Sequence, residues 1–193
     1  MYKLYLLGNN INGDILKKIL LFIGIFILFG CSNYDSPSNA VKNYLNAYNN
    51  LDGRVLVEIE NVSNKEEYTD KQREIYKDIL KKQYKDLSYK IEKEEKNGEE
   101  TLVTVKIKVY DLYSKMEDAS IYLSEHMNEF YDEYGKYDSS KYIDYKLNLM
   151  KNTTNKIEYS IVFTTKVVDD KYKVVDITES DLEKIHGIYN PNI

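Results

Sequence analysis

The chain has 193 residues, 27 basic and 32 acidic side chains, a net charge of −5 with its two histidines neutral, and one cysteine. The acidic balance argues against nucleic acid, whose binding rests on neutralising phosphates. A lone cysteine excludes an internal disulfide.

In chain order, residues 1–15 contain Asn9, Asn10, Asn12 and Asp14, unlike a short basic leader. Leu16 followed by Lys17 and Lys18 opens a more ordinary one, so the pattern predicts translation from Leu16 through an alternative start codon. Residues 19–29 form an eleven-residue apolar run. At about 1.5 Å per residue it spans roughly 16 Å, too short for a hydrocarbon core of about 30 Å. The run ends in Leu28-Phe29-Gly30-Cys31, which resembles the lipobox of bacterial lipoproteins: an aliphatic residue, an apolar one, Gly or Ala, then Cys. The resemblance implies cleavage between Gly30 and Cys31 and a diacylglyceryl group on the Cys31 sulfur, whose two acyl chains anchor stably where one would not. It places the protein on the outer, extracytoplasmic face of the cell membrane.

On this reading residues 1–30 are a signal peptide, residues 31–36 are the lipidated cysteine and a tether, and residues 37–193 are one extracytoplasmic domain. The first 30 residues carry three lysines and one aspartate, so the remaining 163 hold 24 basic and 31 acidic side chains, a net charge of −7. That length can bury a sizeable core. Arginine occurs only as Arg54 and Arg73, tryptophan is absent, and Asn, Ile and Tyr are abundant. This composition indicates an AT-rich coding bias and a low-GC Gram-positive source.

A first helix is expected from Ser36 or Ser38, with Pro37 in its first turn and Ala40, Val41, Tyr44, Leu45, Tyr48 and Leu51 at helical spacing. Asp52-Gly53 is expected to stop it. Residues 54–59 read as a short second helix ending before Asn61, and residues 65–86 as a third. Alternation then sets in. Leu87, Tyr89 and Ile91 face Val103, Val105, Ile107 and Val109 across a turn at Asn97-Gly98. Ser114 with Glu117 has capping-box spacing and opens a helix through Met116, Ala119, Leu123, Met127, Phe130 and Tyr134 to Gly135. Residues 140–151 continue as a helix. A second hairpin pairs residues 157–167 with 172–177 across Asp169-Asp170, and Ser180 with Glu183 caps a short last helix.

This order gives an α+β domain: an antiparallel curved sheet of two hairpins, packed against N-terminal and inserted helices. The lipobox, the tether and a first helix reading Ala40-Val41-Lys42-Asn43-Tyr44-Leu45-Asn46-Ala47-Tyr48 up to Asp52-Gly53 resemble small Gram-positive lipoproteins with a cystatin-like cone, the fold of nuclear transport factor two. The resemblance implies a curved sheet wrapped on a long helix, with a cavity that some relatives use for small ligands.

Catalytic motifs are absent: there is no glycine-rich phosphate loop, no Gly-x-Ser-x-Gly elbow and no His-Glu-x-x-His helix. His126 and His186 read as structural. Glu125, Glu129 and Asp132 form a helix stripe read as a solvated acidic face, because calcium wants six or more oxygens gathered by a loop. No metal, cofactor or catalytic residue is expected. The tyrosines are the candidate ligand-binding groups, and Tyr44, Tyr48, Tyr159 and Tyr172 sit on elements that would line a cone. The expected function is a membrane-anchored binding or accessory module of the envelope, its partner a small ligand or another envelope protein. The alternatives are a cone-fold enzyme with a buried carboxylate as general base, for which Asp111 and Asp176 only flank strands, and an immunity or structural lipoprotein without ligand.

Overall fold

The computed structural model describes residues 35–191. The expected signal peptide, the expected start at Leu16, and the expected cleavage and lipidation site at Gly30 and Cys31 lie outside the described residues. Within them the chain forms six α-helices and a four-stranded antiparallel sheet, an α+β fold.

Helix α1 is Pro37–Asn49. The Ser36 hydroxyl oxygen accepts from the Asn39 amide at 3.2 Å, and Pro37 occupies the first turn, where no N–H is needed. Ala40, Val41, Leu45 and Tyr48 are buried, as the periodicity predicts. The expected stop at Asp52-Gly53 is corrected. The chain turns at Leu51, whose φ is +51°, and the Asp52 carboxylate accepts from the Val55 amide at 3.0 Å. Asp52 therefore begins helix α2, Gly53–Asn64, because aspartate satisfies the free amides of a helix start. This helix also runs past Asn61. Ser63 extends its buried side and turns its hydroxyl onto the Glu60 carbonyl at 3.0 Å. Helix α3, Asp70–Lys85, starts later than expected because Thr69 and Gln72 form a capping box.

Strands β1, Ser88–Asn97, and β2, Glu100–Tyr110, form the expected first hairpin, with Tyr89 opposite Ile107 and Ile91 opposite Val105, but Asn97 pairs with Glu100, so the turn is Gly98-Glu99 and not Asn97-Gly98. Gly98 makes the tight turn at φ +63°, a conformation that costs glycine nothing. The register shifts between Ile91 and Lys93, so Glu92 forms a bulge.

Two corrections follow β2. Helix α4, Leu112–Glu125, is capped by Asp111, whose carboxylate accepts from the Ser114 amide at 3.0 Å, so Ser114 lies inside the helix. The strand ends at Tyr110, and the nearest side chain able to cap is the next one. The expected run to Tyr134 also breaks at His126 into a 3-10 turn, Met127–Phe130. The break seats the buried Phe130 ring edge-on to Tyr122, Tyr142 and Tyr145, at centroid distances of 6.2, 5.9 and 5.8 Å. It also removes the like-charged stripe a continuous helix would carry. Gly135 serves a turn between the bridged Tyr131 and Tyr137 and closes no helix. Helix α5, Ser139–Asn152, follows as expected.

Strands β3, Lys156–Val168, and β4, Lys171–Val175, join through Asp169 and Asp170, both at positive φ. This is the turn whose twist suits a two-residue hairpin. Strand β4 stops short of Ile177 because Asp176, at φ +54°, turns the chain away. The cap of helix α6, Glu179–His186, is Thr178 and not Ser180: its hydroxyl accepts from the Asp181 amide at 3.1 Å.

The strand order is β1-β2-β3-β4, so the helices inserted between β2 and β3 leave chain neighbours adjacent. One face of the sheet is core: Val103 opposes Phe163, Val105 opposes Ile161, and Ile107 opposes Tyr159. Helices α1, α3 and α6 contact this sheet, α2 packs on α1 and α3, and α5 packs on α3 and α4. Among the hollows these helices leave on the described domain, two lie at either end of one line of buried polar side chains.

Candidate functional site

Helix α2 places a carboxylate where its neighbours are apolar. Val55, Glu58, Ile59 and Val62 fall on one helical stripe, with Val55 and Ile59 buried, so Glu58 is carried inward and its side chain is 21 % exposed. It lines a cleft of about 290 Å³ between α2, α3 and α6, together with Val62, Tyr76, Leu182, His186 and Ile188. The rim adds Glu66, Glu179 and Glu183 and one cation, Lys65.

His186 reaches the cleft because α6 ends there. Gly187 adopts φ +74°, and a Cβ on it would collide with the Gln83 amide and the Tyr110 carbonyl, so only glycine lets the chain pass. Gln83 fixes this junction: its amide donates to the Ile185 carbonyl at 3.3 Å, and its carbonyl accepts from the Tyr110 amide at 2.8 Å. His186 is 5 % exposed. Its Nδ1 lies 2.7 Å from the Tyr84 hydroxyl and its Nε2 3.7 Å from Glu58 Oε1. Burial pushes the imidazole down to about 4, so the ring is neutral near pH 7. Burial likewise raises the Tyr84 hydroxyl, which keeps its proton.

Burial also raises the Glu58 carboxyl, against the Tyr48 hydroxyl and the Arg54 guanidinium, which favour the charged form. The Tyr48 hydroxyl donates to both Glu58 oxygens at 2.9 and 3.0 Å and lies 3.2 Å from the Tyr44 hydroxyl. A polar line therefore runs Tyr84, His186, Glu58, Tyr48, Tyr44 through the packing of the helices. Its short links are hydrogen bonds. The open one is the 3.7 Å gap between Nε2 and Glu58, at the cleft wall.

At the Tyr44 end lies the second hollow, an open groove of about 400 Å³ between α1, the start of α2, and β4. Tyr44, Arg54, Tyr172 and Lys173 line it, and the Arg54 guanidinium carbon sits 4.6 Å from the Tyr44 ring centre and 5.5 Å from that of Tyr48.

The four tyrosines singled out from the sequence are thus divided. Tyr44 and Tyr172 share the groove. Tyr48 is fully buried and serves as the link between groove and cleft. Tyr159 lines neither, packing edge-on against Tyr189 at 5.5 Å. His126 is exposed and stacks on Tyr122 at 4.2 Å. Glu129 accepts from the Tyr122 hydroxyl, and Asp132 accepts from the amides of Tyr134 and Lys136. Among the described residues no group of three or more His, Cys, Asp or Glu is placed to hold a metal. Asp111 and Asp176 serve a helix cap and a turn.

Glu58 is the residue the sequence reading missed. The signal available was a carboxylate at the 58 position of the 55, 59, 62 apolar stripe, which becomes visible once residues 53–64 are read as one helix. Family models, curated proteins and solved structures were each compared with this chain, and none matches.

Proposed function

We propose that this chain is an extracytoplasmic lipoprotein, held on the outer face of the cell membrane by a diacylglyceryl group on Cys31. Its domain acts as a binding module of the cell envelope, taking a small ligand in the cleft between α2, α3 and α6. The observation that carries the binding reading is Glu58, a carboxylate partly withdrawn from water on the wall of a hollow whose apolar lining is Val62, Tyr76, Leu182 and Ile188 and whose polar lining includes His186, Asn61, Lys65 and three further glutamates. A carboxylate so placed gains from a donor or a cation. With His186 neutral and three more glutamates at the rim, the matching ligand has an apolar body and an ammonium or other N–H group. Among the described residues no helix is long and apolar enough to cross a membrane. We read the fold as a cystatin-like cone, supported by α1 lying against all four strands of an antiparallel sheet whose neighbours follow chain order.

Two measurements test this. Radiolabelled palmitate should enter the wild-type protein in its host and not the Cys31→Ser variant, and an unlabelled wild type would overturn the anchor. Calorimetry with decylammonium and decanoate should give heat for the amine alone, lost in Leu182→Trp, which fills the cleft. Silence with both, or equal binding of both, would overturn the ligand class.

A second reading has one observation in its favour: the raised Glu58 carboxyl beside His186 fits a general base in a cone-fold enzyme. The ligand would then leave chemically changed, and Glu58→Gln would bind it without turnover.

A further inference from the structure

We propose that the groove formed by Tyr44, Arg54 and Tyr172 receives the phosphate of an anionic phospholipid in the leaflet that holds the Cys31 anchor, so that the domain is docked at a second point. The inference rests on the lipid-anchored reading above, and on two independent features of the groove.

The first feature is chemical. Arg54 is exposed, its guanidinium carbon lies 4.6 Å from the Tyr44 ring centre and 5.5 Å from that of Tyr48, and the Tyr44 side chain is its hydrogen-bond partner. The other groove cation, Lys173, is bonded to Asp169 at 2.8 Å, and the groove carboxylate, Asp52, is engaged with the Val55 amide at 3.0 Å. A guanidinium carries five N–H donors, so one turned to the Tyr44 hydroxyl leaves others as a fork, the geometry that phosphate oxygens match.

The second feature is position. The Asp35 carboxylate accepts from the Tyr172 backbone amide at 2.9 Å, so the tether meets the domain on the strand that walls the groove. Four peptide links separate Asp35 from Cys31, and at about 3.5 Å each they reach at most roughly 14 Å. A lipid on Cys31 therefore holds Tyr172 near the headgroup layer, where phosphate is the most concentrated anion. The overall negative charge of the chain makes a diffuse electrostatic attraction to such a surface unfavourable, which leaves a discrete site as the way to engage it.

The test uses the lipidated full-length product reconstituted in vesicles of phosphatidylcholine, with or without an equal part of phosphatidylglycerol, and reads amide hydrogen exchange in residues 50–56 and 171–175. Phosphatidylglycerol should slow exchange in both segments by roughly tenfold, the scale of one charge-assisted contact. Arg54→Ala, measured against its own exchange on phosphatidylcholine alone, should lose that slowing, and Arg54→Lys, which keeps the charge but not the fork, should retain only part. Equal exchange on the two vesicles would overturn the proposal. So would full slowing by inorganic phosphate on phosphatidylcholine vesicles, which would identify a site for a free anion. Mass spectrometry of the same sample separates the failures: a chain without lipid on Cys31 removes the anchor reading and the docking with it, whereas a lipidated chain with unprotected segments removes the docking alone.

Discussion

Burial moves the titration of His186 into the acid range. An unfolded histidine binds its proton near pH 6.5 and this one near about 4, so folding expels a proton and stability is fully present only above the unfolded value. It falls as the pH drops from 6.5 toward 4 and levels below that. The expected loss between pH 7 and pH 5 is about 2 kcal/mol. Glu58 works in the opposite sense, because a raised carboxyl favours the folded state at low pH and withdraws that contribution as the pH rises through its folded value. His186→Leu should therefore flatten the acid limb of urea-unfolding stability, and an unchanged slope would show that the loss arises elsewhere. Tyr48→Phe removes the donor to both Glu58 oxygens. We expect the Glu58 carboxyl to titrate still higher, followed by carbon NMR of its side chain, with stability lower by about 1–2 kcal/mol. A lower or unmoved titration would contradict the role given to Tyr48. None of these partnerships could be read in the sequence. Residues 58, 48, 84 and 186 meet only through the packing of four helices, and no local spacing encodes that.

Elements were largely legible, and where they were not, caps decide. Both hairpins announce themselves through period-two alternation and turn residues, since Gly98 and the Asp169-Asp170 pair are among the few residues that take positive φ at low cost. The helix starts misled because several candidate caps stand close together. Asp111 and Ser114, or Thr178 and Ser180, compete, and the outcome depends on where the preceding strand or turn releases the chain. Asp111→Ala should destabilise the domain by about 1 kcal/mol, whereas Ser114→Ala, which loses a 3.2 Å bond to the Asp111 carbonyl, should cost less. The reverse order in chemical unfolding would restore Ser114 as the cap. Gly187→Ala tests the α6 terminus. Forced positive φ together with the collision against Gln83 and the Tyr110 carbonyl should lower stability by several kcal/mol, roughly the range of a severe core defect. A variant melting like the wild type would show that this junction is slack.

At the scale of the whole molecule, the α+β class followed from the order of helical and alternating segments, and the strand order follows from chain adjacency. The hollows did not. They form where α2, α3 and α6 fail to close over one another and where α1 and the start of α2 leave an open groove beside β4, and such gaps are set by side-chain volumes that no periodicity reports. The tyrosine-lined groove was half visible, through Tyr44 and Tyr172, because both elements carrying them were correctly placed. The cleft was invisible, because Glu58 lay in a segment whose helix was read too short. A lipid anchor on Cys31 and a ligand in that cleft, both proposed above, are read together by native mass spectrometry of the protein drawn from its host membrane. The expected species is a chain beginning at Cys31, carrying a diacylglyceryl group, with a small bound molecule present in the wild type and lost in Leu182→Trp. A chain that retains the residues before Cys31 and bears no lipid, or a lipidated chain with no bound molecule in any preparation, would contradict this expectation.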